Sequence, residues 1–151
     1  TRLRIISFGS EEPGLKGSKA YVNEYQNQLR QEKAVLNNID SIKDDKNLTI
    51  TTRELHTLIN FPAYIIDKLQ KAFDDNQVAV QQKMLPLGAT DATSFAIKQL
   101  PAVSIIGLRT DKLDPTYHTR LDTIENLDIA GLDCMKKVLV SFIKDWDADD
   151  Q

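Results

Sequence analysis

The run Leu3-Arg4-Ile5-Ile6-Ser7-Phe8-Gly9-Ser10-Glu11-Glu12-Pro13-Gly14-Leu15-Lys16-Gly17-Ser18 sets the reading of the whole chain. An apolar stretch of strand character gives way to a polar loop rich in Pro and Gly. Beyond it, Tyr21, Val22, Tyr25 and Leu29 recur at the three- and four-residue steps of one helix face, with Ser18 as the predicted cap. The stretch therefore predicts a buried strand over residues 2–8, a loop over 9–17 and a helix after it. It also sets two adjacent carboxylates, Glu11 and Glu12, where a buried strand would emerge. Like charges that close share a proton or sit beside a metal ion, which points to hydrolytic chemistry and directs attention to partners further along.

Further strands are predicted over residues 33–42, ending at Asp40, and over 101–106, the clearest buried strand of the chain. Residues 78–84 read as an edge strand, and 48–52 as either an extension of the sheet or a surface ribbon. One helix is predicted from a cap at Asn60, with Pro62 in its first turn and Ile65, Ile66, Leu69 and Phe73 facing inward. Others are predicted over 90–98 and over 127–146, the last with Leu132, Met135, Leu139, Phe142 and Trp146 on one face. Strands alternating with helices argue for a three-layer α/β/α domain with a mostly parallel or mixed central sheet. In such sheets sites gather beyond the carboxyl ends of the strands. Glu11, Glu12, Asp40 and the long loop bearing His118 all fall after candidate strands.

At 151 residues and 41% apolar composition the chain suits one ordinary domain. Its lysines and arginines are scattered among acids at a net charge of -3, which gives no basic stripe for nucleic acid. No apolar run approaches the roughly 20 residues that a membrane-spanning helix needs. The single cysteine, Cys134, cannot form an internal disulfide and reads as a small packed hydrophobe. His118, with carboxylates from other loops, has the donor chemistry that zinc accepts. Spacing alone does not separate this from solvated acids and a surface histidine, and His56 reads as a surface residue.

Taken together, Ser10-Glu11-Glu12-Pro13-Gly14-Leu15-Lys16-Gly17-Ser18, Asn38-Ile39-Asp40, Thr90-Asp91-Ala92-Thr93-Ser94-Phe95 with Leu100-Pro101-Ala102-Val103, and Tyr117-His118-Thr119 with Asp122-Thr123-Glu125-Asn126 resemble metallopeptidase family 28. That family comprises dinuclear-zinc aminopeptidases and related carboxypeptidases. The resemblance implies that Glu11 is the general base, that Glu12 and His118 ligate one zinc ion, and that Asp40 ligates the second. Asp91, Tyr117 and Asp122 are candidates for substrate contact or for support of the ligands. Thr90-Asp91 reads equally well as a helix cap, because Ala92 stands where the family often has histidine. Phe95 is expected to pack, and Arg109 and Arg120 stand as candidate partners for a substrate carboxylate.

The resemblance also implies five protein ligands for two zinc ions, and this chain offers three candidates, Glu12, Asp40 and His118. A histidine and a bridging aspartate belong to a segment upstream. Residues 1–151 are therefore expected to be the C-terminal part of a single zinc-peptidase catalytic domain, inactive alone, with the missing N-terminal part and a peptide as its partners. An exposed sheet edge would favour dimerisation. Many relatives act outside the cytoplasm, which favours a secreted or cell-envelope location. The alternative is a non-catalytic receptor-like or scaffold domain of the same fold.

Overall fold

Residues 102–106, Ala-Val-Ser-Ile-Ile, are buried at every position, and a strand covered on both faces belongs at the centre of a layered sheet. The computed structural model describes residues 2–107 and 114–149. Its elements run α1 (Lys16–Gln31), β1 (Leu36–Asp40), β2 (Thr49–Glu54), β3 (Ile59–Asn60), α2 (Ala63–Asp75), β4 (Gln81–Leu85), α3 (Asp91–Ile97), β5 (Ala102–Ile106) and α4 (Ile129–Asp149), with a 3-10 turn at Ile124–Asn126 before α4. β5 pairs in parallel with β1, from Leu36 opposite Ala102 to Asp40 opposite Ile106. On its other edge β5 runs antiparallel to the first half of β2.

A strand has only two edges. β4 follows β2 in parallel along one of them, so β3, antiparallel to Arg53 and Glu54 of β2, must share the other with β5. The sheet is thus mixed, and of residues 48–52, left open between sheet and ribbon, all but Leu48 belong to its interior strand β2. Helix α1 packs on α3, and α2 on α4, with both α2 and α3 reaching β5. Val22, Leu48, Ile50, Ile65, Leu69, Phe73, Val103, Ile105 and Val138 make up the most buried part of the core between these layers.

Four expectations change. Residues 2–8 form no strand: Leu3 is 61% and Ile5 91% exposed, and the segment joins no ladder among the described residues. Strand propensity is realised only where backbone partners exist. Instead Arg2 and Arg4 bind Glu32 at the end of α1, and Phe8 meets Tyr21 edge-on at 5.7 Å. Asn60 does not cap α2. It pairs with Arg53 inside β3, and Pro62 occupies the cap position. Ser18 does not cap α1, which begins two residues earlier, at Lys16. In α4 the inward face is centred on Met135, Val138 and Phe142, while Leu132 is 44% exposed.

Cys134 is partly buried against the core. No helix among the described residues is long and apolar enough to cross a membrane. Phe73, fully buried beneath the sheet, is expected to carry a large share of the stability. Phe73→Ala should lower the free energy of unfolding by about 3–5 kcal/mol, read from urea midpoints. A loss below about 1 kcal/mol would show that the helix layer is not packed as described.

Candidate active site

The acidic pair lies in a turn that caps α1 with backbone alone. The first turn of a helix leaves N–H groups without partners. Here the amides of Lys16 and Gly17 donate to the carbonyls of Ser10 and Gly9 at 3.0 and 3.1 Å, and Gly14 and Leu15 both donate to the carbonyl of Glu11. Gly17 is required by proximity, since a Cβ there would lie 2.9 Å from the backbone nitrogen of Gly9. The Ser18 hydroxyl, buried in the first turn, meets the Ser94 hydroxyl at 2.8 Å and so ties α1 to α3. The result sets Glu11 and Glu12 at the positive end of a 16-residue helix.

Asp40 ends β1, and its carbonyl accepts a bond from Gly107 just past β5, so the carboxyl ends of both parallel strands are flush. Opposite stands the N-terminus of α3, held by an acid the sequence reading did not single out. Glu54, fully buried at the end of β2, accepts bonds from the amide and hydroxyl of Thr90 at 3.1 and 2.7 Å. It also accepts bonds from the hydroxyls of Thr57 and Thr93. A buried carboxylate is tolerated when donors surround it. The only sequence signal was a lone acid on a β-branched strand with threonines at 57, 90 and 93. Asp91, next to Thr90, is 9% exposed, and its Oδ1 has no hydrogen-bond partner.

His118 arrives on a loop rooted by Asp114, which accepts bonds from the amide and hydroxyl of Thr116 at 2.8 and 2.7 Å and from Lys43 Nζ at 2.7 and 2.9 Å. The imidazole stacks on Tyr117 with ring centroids 3.9 Å apart, and its Nε2 lies 2.8 Å from Glu12 Oε1.

Glu11, Glu12, Asp40, Tyr117, His118 and Asp122 line one cleft of about 350 Å³, closed on its other side by Leu85, Leu87, Gly88, Ala89 and Thr90. Asp91 is not among the lining residues, Phe95 packs on Phe8 and Tyr21, and His56 and Arg120 are exposed outside that lining. Arg109 lies outside the described residues.

Burial, and then repulsion from Glu12, Asp40 and Asp91, pushes the Glu11 carboxyl above its ordinary value, with His118 opposing. Burial likewise raises Asp40 against the pull of its bond from Ser41, with Asp91 and Glu12 adding to the rise. Tyr117 is raised by burial and by the surrounding acids. In kind, carboxylates with an imidazole suit zinc. In number they fall short, because no group of three histidine, cysteine, aspartate or glutamate side chains among the described residues converges closely enough to hold a metal ion. Glu12 and His118 are the pair in direct contact, and Asp40 lines the same cleft.

Comparison with known proteins places this fold. The chain belongs to peptidase family M28, whose model matches residues 1–143. Its fold is similar to that of BSAP, a zinc aminopeptidase from Bacillus subtilis, with a TM-score of 0.72 and 22% identity over 92% of this chain and 34% of that one. It is similar to the LapA aminopeptidase of Legionella pneumophila at 0.68 and 20%, covering 89% and 37%. A glutaminyl cyclase from an Acidobacteriales bacterium gives 0.68 and 20%, covering 91% and 47%. The chain thus spans 34% to 47% of the length of these structures. A comparison with curated proteins finds no match.

Two outcomes follow from this geometry. Gly17→Ala should force the acidic turn away from α1 and cost about 1–3 kcal/mol, seen as a lowered thermal midpoint with helix content retained; an unchanged midpoint would remove the close approach. Lys43, and next the Thr116 bonds, hold the Asp114 carboxyl well below the usual carboxylate range. Its folded value lies under the unfolded value of about 3.9, so the stabilisation is present above about pH 4 and fades as pH falls through the folded value. The gap in urea midpoint between wild type and Lys43→Met should therefore be constant between about pH 7 and 5 and narrow progressively as pH falls below about 4. A gap undiminished at about pH 2 would count against the ion pair.

Proposed function

We propose that the chain carries the catalytic edge of a zinc-dependent exopeptidase, an aminopeptidase, in which Glu11 is the general base. In this reading Glu12 and His118 bind one zinc ion and Asp40 contributes to a second, with further ligands coming from outside these 151 residues. The observation that carries it is the convergence of Glu11, Glu12, Asp40 and His118 on one cleft although they come from three separate segments. The family match and the similarity to zinc aminopeptidases support it.

What zinc supplies when bound is a lowered pKa for water and a polarised carbonyl. The chain's own part is proton handling. Glu11 is partly buried and its carboxyl is raised toward the working range of a general base. It would accept the proton of the attacking water on a carboxylate oxygen and pass it to the departing amine. Peptide-bond cleavage then balances with one water consumed and a free amine released.

The choice of aminopeptidase over carboxypeptidase rests on charge. The cleft lining holds Glu11, Glu12, Asp40 and Asp122 and, among the described residues, no lysine or arginine. A free amino-terminal ammonium is complementary to that lining and a terminal carboxylate is not.

Turnover of leucine p-nitroanilide should be absent from the 151-residue chain with added zinc, since its sequence holds only His56 and His118 as imidazole donors. In the full-length product of the same reading frame, turnover should appear, vanish with a chelator and return with zinc. There Glu11→Gln should lower kcat by about 10²–10⁴-fold. Robust turnover by the short chain would overturn the ligand count, and full activity of the Glu11→Gln protein would overturn the assignment of the base.

A further inference from the structure

Lys43 lies three residues beyond Asp40, at the exit from β1, and its side chain is 25% exposed while that of Asp114 is 10% exposed. Its ammonium meets both oxygens of Asp114 and the hydroxyl of Thr116. Its own carbonyl accepts the amide of Asp128 at 2.8 Å, just ahead of α4. One residue thus joins the end of a sheet strand to both the start and the finish of the segment that carries His118.

That segment needs such an anchor. Residues 114–119 join no strand, and local bonds such as Tyr117 to Asp114 and Thr119 to Thr116 fold them into turns. His118 itself adopts φ 57°, a left-handed conformation that costs a non-glycine residue energy and persists when its surroundings impose it. Its side chain is 52% exposed, so packing alone does not hold the ring. The Lys43 bonds fix the root of the turn two to four residues away, and the Tyr117 stack and the Glu12 contact fix the ring at the other end.

We propose that Lys43 is a positioning residue for His118: through Asp114 and Thr116 it holds the loop so that the imidazole meets Glu12 before any metal arrives. The proposal rests on the reading of Glu12 and His118 as a ligand pair. Residues that orient ligands from behind typically change metal affinity by about 10–100-fold when removed. The effect on Lys43→Met should be of that size, and Asp114→Asn should reproduce it. Lys43→Arg keeps a cation with several donors and should restore most of the affinity. Lys71→Met removes a comparable but exposed ion pair with Asp75 and Asp145 and should change nothing at the site.

The test uses the isotope-labelled full-length product of the same reading frame and zinc chloride. Zinc uptake is followed on the ring signals of His118, with those of His56 as internal reference, and the order of residues 114–119 is followed by amide heteronuclear NOE without metal. Weaker zinc uptake and looser 114–119 amides in Lys43→Met and Asp114→Asn, with core amide signals in place and both effects reversed in Lys43→Arg, support the proposal. Unchanged amides and unchanged zinc affinity in both variants overturn it. Wild-type His118 signals that ignore zinc overturn the ligand reading instead, and the metal-free amide data then decide the role of Lys43 on their own. If Lys43→Met fails to fold, Asp114→Asn and Lys43→Arg give the same decision.

Discussion

The parallel register of β1 against β5 is the constraint on which the site depends. It brings Asp40 level with Ile106, and the bond from Gly107 to the Asp40 carbonyl closes the end of the pair. A Cβ on Gly107 would sit 2.6 Å from the Ser41 carbonyl oxygen, so the two chains leave the sheet in backbone contact. Asp40 at the end of β1 and His118 in the segment that follows β5 both line the cleft beyond this line. Had the two strands run antiparallel, one of the two exits would open on the opposite edge, and Asp40 and His118 would be separated by the length of the sheet.

Around this line the molecule gathers negative charge and manages it in two ways. Glu54 is completely enclosed and acts as a structural acceptor, saturated by threonine donors and one amide. Glu11, Asp40 and Asp91 are left with fewer partners, and the first two have carboxyls raised by burial and by one another. Saturation stabilises a buried carboxylate as a fixture, whereas incomplete pairing leaves it ready to accept a proton or a cation.

How far the sequence could be read depended on whether the signal was local. The apolar run at β5, the helix face Ile65, Ile66, Leu69 and Phe73, and the Glu11-Glu12 turn before a helix were all legible, because short-range periodicity and composition carry them. Residues 2–8 misled because an apolar pattern says nothing of whether a hydrogen-bonding partner stands alongside. The expected caps at Ser18 and Asn60 failed because backbone groups served instead, the carbonyls of Gly9 and Ser10 in one case and the β2–β3 pairing in the other. Glu54 and the Lys43–Asp114 bond join residues 36 and 71 positions apart, a distance at which a single sequence holds no signal of contact.

The enclosed Glu54 also couples distant positions to one another. Its carboxylate is the common acceptor for Thr57, Thr90 and Thr93, which lie on a hairpin, a helix cap and a helix turn. Exchange of Glu54 for an apolar residue would strand the hydroxyls of Thr90 and Thr93 in a dry interior, and exchange of one threonine would leave the carboxylate short of a donor. The four positions are therefore energetically coupled, and the costs of changing them do not add. The wall of the cleft behind Thr90 thus responds to substitution as one body, whereas an exposed neighbour such as Leu87 responds alone.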